Sequence, residues 1–173
     1  RKCCQIFMRM KKREPEMKLL VAALVSLFAL SVSADMRLLQ YEGFTIWLDC
    51  EKRAAIKFQY RIERDVGNID RVHEFYRDPE LDQTCQQKEN TLSYNKNDNI
   101  KNFDRGHLIP FNHMDHSLIA SHQTNYMTNI LPQAANMNRG AWLRTEEITE
   151  CYREFYELEI IGGALSDKDS KYL

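Results

Sequence analysis

An α+β fold with a mostly antiparallel sheet is what this sequence predicts, and three stretches carry the prediction. Phe44 to Leu48 and Ala54 to Ile62 are β-branched, aromatic and partly alternating, with a polar break at Asp49 to Arg53 between them, which reads as a hairpin. Asn138 to Glu157 has helix-forming composition, charged outer positions and no interior proline. Trp142, Ile148, Tyr152 and Phe155 give that helix much of an apolar stripe. Leu158, Ile160, Ile161 and Ala164 then mark a strand through Glu159 to Leu165, ahead of a charged end with little apolar character.

Before the hairpin, Met17-Lys18 opens an apolar run from Leu19 to Val32 that closes on Val32-Ser33-Ala34, with small residues where a signal peptidase needs them. The run is shorter than the ~20 apolar residues that a bilayer crossing needs, and no basic stop-transfer cluster follows it. Residues 1–34 are therefore expected to be upstream sequence plus an export signal cut after Ala34. Residues 35–173 are left as one secreted, periplasmic or extracellular domain without stable membrane insertion. That part keeps 17 basic and 23 acidic residues, a balance of −6. The sign excludes nucleic-acid binding by bulk charge, so a phosphate-handling site must be locally basic or use a metal. Cys50, Cys85 and Cys151 remain after processing, which suits one disulfide and one leftover thiol, with the pair open.

Between hairpin and helix, Arg64 to Asn102 is polar and contains Asp78-Pro79 and the low-apolar tract Asp82 to Asn99. It reads as a long irregular loop around short elements, of the kind that carries function. Phe103 to Phe111 reads as a short strand running into a loop, with His107 near the strand's end. Ser121 to Asn136 mixes Tyr126, Met127, Ile130 and Leu131 with amide side chains, and Pro132 limits any helix there to its first half.

Asp104-Arg105-Gly106-His107 and Asn138-Arg139-Gly140-Ala141-Trp142 supply a base, a cation and a neutral oxygen ligand, the parts that phosphodiester hydrolysis needs. A neutral imidazole takes a proton from water near neutral pH when its other nitrogen is held. An isolated histidine is more often a hydrogen-bonded loop residue. Arg105, two residues from His107 and on the same face of a strand, suits an anionic substrate and favours the base. Asn138 offers an amide oxygen of the kind a largely hydrated Mg2+ accepts, and equally suits the N-cap of a helix starting there. Glu146, eight residues on, falls ~80° round and ~12 Å along that helix. Contact with a metal through water fits this spacing better than direct ligation, and a solvated helix face would look the same.

Three runs then occur in order: Asp104-Arg105-Gly106-His107-Leu108, Thr124 to Gln133, and Met137-Asn138-Arg139-Gly140-Ala141-Trp142. From about Phe103 to Glu146 the chain resembles the DNA/RNA non-specific endonucleases, with weaker similarity near Phe75 to Leu81. These are ββα-metal (His-Me finger) nucleases, a group that includes secreted bacterial nucleases and endonuclease G. The resemblance implies hydrolysis of DNA and RNA with little sequence preference, 5′-phosphate ends, and Mg2+ or Mn2+ as cofactor. It implies that His107 is the general base, Asn138 the direct metal ligand, and Glu146 a residue acting on the metal through water. Asn129 would be a supporting amide and Arg105 the arginine beside the base. Arg71, ahead of Phe75 and Asp78, is the candidate for a further arginine that steadies transition-state charge. Two positions depart from the pattern: Asn112 stands where the family has a small residue, and the family's domain runs on past the strand where this chain stops. The domain is therefore expected to be incomplete at its C-terminus.

Two other readings compete. One is a catalytically inactive nucleic-acid-binding remnant. The other is a zinc-stabilised interaction domain, since His107, His113, His116 and His122 fall within 16 residues and His113 and His116 have a spacing seen in zinc sites. No cysteine or close carboxylate pair completes a tetrahedral set for the latter.

Overall fold

Residues 35–89 and 103–164 are described by a computed structural model of the chain. The export signal expected within residues 1–34, part of the long loop at 90–102, and the end at 165–173 lie outside them. Alternating inward and outward side chains make Phe44–Asp49 (β2) and Ala54–Ile62 (β3) the expected antiparallel hairpin, with Phe44 opposite Tyr60, Ile46 opposite Phe58 and Leu48 opposite Ala55 on the buried side. Met36–Tyr41 (β1), a strand not expected from its residue pattern, pairs antiparallel with β2 through a turn in which Gly43 takes φ 85°.

The expected late strand is Leu158–Gly163 (β6), antiparallel to β3, so the first sheet runs β1-β2-β3-β6. Gly162 lies opposite Phe58, and a Cβ there would come within 2.1 Å of the phenyl ring. A second, two-stranded antiparallel sheet joins Phe103–His107 (β4) to Ile130–Ala134 (β5). β5 corrects the expectation for Ser121 to Asn136. Ahead of Pro132 the α-helix is confined to Leu118–Thr124 (α1), and Pro132 itself is accommodated in a strand with one neighbour among the described residues. Ile109, Met114, Ala120 and Leu131 from this second layer pack against Ile46, Leu48 and Phe58 of the first. Each of the largest, wholly buried aliphatics contributes about 2 kcal/mol by leaving water.

The long helix begins three residues earlier than expected. It is built from Ala135–Met137 (α2), a π-helical turn at Asn138–Trp142, and Leu143–Arg153 (α3). Its apolar stripe is only partly used: Trp142 packs edge-on to Phe58 with centroids 6.4 Å apart, while Ile148, Tyr152 and Phe155 stay exposed. At its end the buried Arg153 guanidinium lies 2.7 Å from both Asp65 Oδ2 and Glu150 Oε2. This ties α3 to the irregular segment from Arg64 onward, as expected for a charge that must be paired when removed from water.

The open cysteine question is answered by Cys50–Cys85, which links the β2–β3 turn to the segment after Leu81, with Cys151 outside the bridge. Closing a 35-residue separation restricts the unfolded chain. The double variant Cys50→Ala/Cys85→Ala should lose about 3 kcal/mol of unfolding free energy in a urea titration. An unchanged midpoint would count against the bridge.

Candidate active site

β4 delivers Arg105 and His107 to one side of the second sheet, two residues apart as strand geometry requires. Gly106 between them is needed because Gln133 of β5 crosses over it, and a Cβ would meet the Gln133 side chain at 2.2 Å. His107 is buried. Its Nε2 lies 2.9 Å from Asn125 Oδ1, and Asn125 Nδ2 donates to the Val72 carbonyl at 3.1 Å. With the amide nitrogen committed to Val72, Asn125 can only accept from the imidazole. The network therefore assigns the proton to Nε2 and leaves Nδ1 as the acceptor. Phe75 packs between the two β4 side chains, 5.5 Å from the imidazole and 4.1 Å from the Arg105 guanidinium.

Burial pushes the His107 pKa down to about 4, against the hydrogen bond to Asn125 Oδ1 and with the Arg71 and Arg105 charges adding to the fall. The ring is thus neutral at physiological pH.

Across the pocket, the π-helical turn sets the geometry of Asn138. Leu143 N–H donates to Asn138 O, an i→i+5 bond, and Asn138 itself has helical φ −59° and ψ −48°. It is not the N-cap that the sequence also allowed. The extra residue in this turn makes the eight-residue span to Glu146 behave like seven α-helical steps, about 20° from eclipsed instead of ~80°. Asn138 and Glu146 accordingly line the same pocket. Asp104 accepts from Asn138 Nδ2 at 3.0 Å and from Arg139 Nε and Nη2 at 2.8 and 2.6 Å. Holding the amide by its nitrogen leaves Asn138 Oδ1 as the end available to a cation. Burial pushes the Glu146 carboxyl up, and Arg71 opposes the rise.

One pocket collects Arg71, Arg105, His107, Asn138 and Glu146, with Asn112, Arg139 and Leu143 also in its wall. No group of three His, Cys, Asp or Glu that could hold a metal exists among the described residues. An amide oxygen and one carboxylate fit an ion that keeps most of its own water, as Mg2+ does, and do not fit a fully protein-ligated one. The sequence model of the DNA/RNA non-specific endonucleases matches residues 26–172. The chain belongs to that family.

Comparison with curated proteins gives no match. Among solved structures, the crystal structure of the EndoG/EndoGI complex, concerned with the mechanism of EndoG inhibition, is similar with a TM-score of 0.65. Sequence identity is 18%, over 79% of this chain and 57% of that one. The likeness establishes the fold, a ββα-metal nuclease fold with antiparallel sheets and few helices. The chain spans little more than half the length of the structure it resembles.

One expected residue, the supporting amide Asn129, is not in the pocket wall. Asn129 is wholly buried behind the pocket: its Oδ1 accepts from Ile109 N–H, and its Nδ2 donates to the Ile109 and Thr124 carbonyls. With oxygen and nitrogen both committed to backbone, it braces the loop after β4 and does not face the site. The amide that touches the imidazole is Asn125, four residues earlier. The two stand in the same amide-rich stretch, and no spacing rule says which one turns toward a histidine. Asp104 and Arg139 are further residues at the site, and neither stands out by residue type within Asp104-Arg105-Gly106-His107 and Asn138-Arg139-Gly140-Ala141-Trp142.

Three of the four clustered histidines are engaged with other groups: His107 with Asn125, His113 with Nδ1 2.9 Å from Tyr60 Oη and Nε2 2.9 Å from Glu150 Oε1, and His122 stacked on Tyr76 at 4.5 Å.

Because the native His107 pKa lies below its ordinary 6.5, the unfolded chain binds more protons than the native one between those values. Stability should therefore fall as pH drops from about 6.5 to about 4 and change no further through this group below that. His107→Gln, which cannot charge, should show a shallower fall in urea midpoint over that window. Parallel curves for the two proteins would overturn the assignment.

Proposed function

We propose that this domain is a secreted endonuclease that hydrolyses phosphodiester bonds of DNA and RNA, with divalent metal, little sequence preference and 5′-phosphate products. The observation that carries the reading is a neutral imidazole acceptor and an amide oxygen in one pocket with Arg71, Arg105 and the Glu146 carboxylate. A divalent cation such as Mg2+ or Mn2+, held by Asn138 with Glu146 beside it, would supply charge neutralisation on the phosphate and assist the leaving oxygen.

The chain's own residues do the rest. His107 Nδ1 takes a proton from water as the water oxygen bonds to phosphorus; the bond from phosphorus to the 3′ oxygen breaks, and that oxygen leaves protonated by solvent. Asn125 keeps Nε2–H in place, so that Nδ1 retains its lone pair and the imidazolium formed stays hydrogen-bonded. Arg71 and Arg105 face the phosphoryl oxygens as charge builds on them. Phe75 keeps Arg105 extended over its ring. Contacts of this kind go to phosphate and carry no base information, which supports tolerance of sequence and of both nucleic acids. Export is supported by the leader-like residues 17–34 and by the Cys50–Cys85 bridge, which belongs to an oxidising compartment.

Plasmid nicking with Mg2+, and with excess chelator, tests the whole reading: metal-dependent cutting by folded protein is expected, and its absence would refute it. His107→Ala should lower turnover by about 10²–10⁴-fold with little loss of DNA affinity, whereas undiminished cleavage would remove the histidine from the base role. Asn138→Ala should raise the Mg2+ concentration for half-maximal rate about tenfold or more; an unmoved Mg2+ profile would mean that the amide is not a ligand.

A further inference from the structure

Arg139 takes no part in the chemistry above, yet it lines the same pocket with a side chain 69% exposed. Its guanidinium grips Asp104 as a fork, through Nε to Oδ2 and Nη2 to Oδ1. That uses two of its five N–H groups and leaves three for another anion. Asp104 by itself would set a negative charge into a wall that has to receive phosphate. The fork cancels it and turns the remaining donors of Arg139 to use.

The arginines are not grouped at one point. Arg71 and Arg105 lie close enough to His107 to act on its charge, whereas Arg139 shares its carboxylate with Asn138 on the opposite wall. A nucleic-acid backbone presents phosphates at regular intervals on both sides of the bond to be cut. We propose that Arg139 is a substrate-binding residue that contacts a backbone phosphate neighbouring the scissile one, on the Asn138 side of the pocket. This rests on the nuclease reading. It assigns Arg139 to binding, so its loss should raise KM and leave kcat nearly unchanged.

Two measurements on the full chain test it, using one defined DNA duplex. The first is anisotropy titration across a KCl series without Mg2+, and the second is steady-state cleavage with Mg2+. Arg139→Gln should weaken Kd and raise KM about fivefold, hold kcat within about twofold, and make the log Kd against log salt slope shallower by about 0.9. Arg139→Lys should keep the slope and lose part of the affinity. Arg144→Gln is the charge-matched control, since Arg144 is exposed, pairs with Glu147 and lies outside the pocket wall. The proposal is overturned if Arg139→Gln matches that control in Kd and slope. It is also overturned if Arg139→Gln lowers kcat and raises the Mg2+ requirement at unchanged Kd, because the arginine would then act only by steadying Asp104 against Asn138. Should the wild type fail to cut while the Kd difference persists, the nuclease reading falls and the phosphate contact stands.

Discussion

The side-chain amide of Asn125 lies between the Val72 carbonyl and the His107 imidazole, joining three parts of the chain that are far apart in sequence. An amide has one donating and one accepting end, so fixing its nitrogen fixes what its oxygen can receive. From that single orientation follow the histidine tautomer, the free nitrogen that faces the pocket, and the position of the 71–76 segment that supplies Arg71 and Phe75. Backbone contacts reinforce it: Tyr76 N–H donates to Asn125 O, and Met127 N–H to Tyr76 O.

The helix side of the pocket is organised by the same logic with different parts. Asp104 takes the Asn138 amide by its nitrogen, as Val72 takes that of Asn125, and in both cases the oxygen is the end left for function. The π-helical turn then does what an ideal helix could not, by rotating Glu146 toward the face that carries Asn138. A local irregularity thus replaces the bend in the helix start that a shared site would otherwise require.

Much of the fold was legible, and the reasons are specific. The β2–β3 hairpin shows because its period-two pattern has one buried face, and the helix shows because Asn138 to Glu157 has helix-forming composition and no proline. β5 was hidden because Pro132 reads as a breaker, although a strand with one hydrogen-bonded side tolerates it. β1 was hidden because Met36, Arg37 and Leu38 are all exposed and give no alternation. Of the site, His107, Arg105, Asn138, Glu146 and Arg71 were readable from residue chemistry and family resemblance and share one pocket. Asn125 was not, since its role depends on a backbone carbonyl 53 residues away. Nor could a π-helical turn be read from Asn138-Arg139-Gly140-Ala141-Trp142, whose composition is ordinary for a helix.

Arg153 shows how far the pocket's support extends. Its guanidinium sits in the interior between Asp65 and Glu150, and Asp65 opens the unpatterned stretch that reaches the pocket at Arg71 six positions later. Glu150 in turn accepts from Asn112 at 2.6 Å, and Asn112 is part of the pocket wall. This interior cation therefore acts as a keystone for two separate stretches of the rim, so the division between residues that fold and residues that work is not a boundary that can be drawn around the cleft.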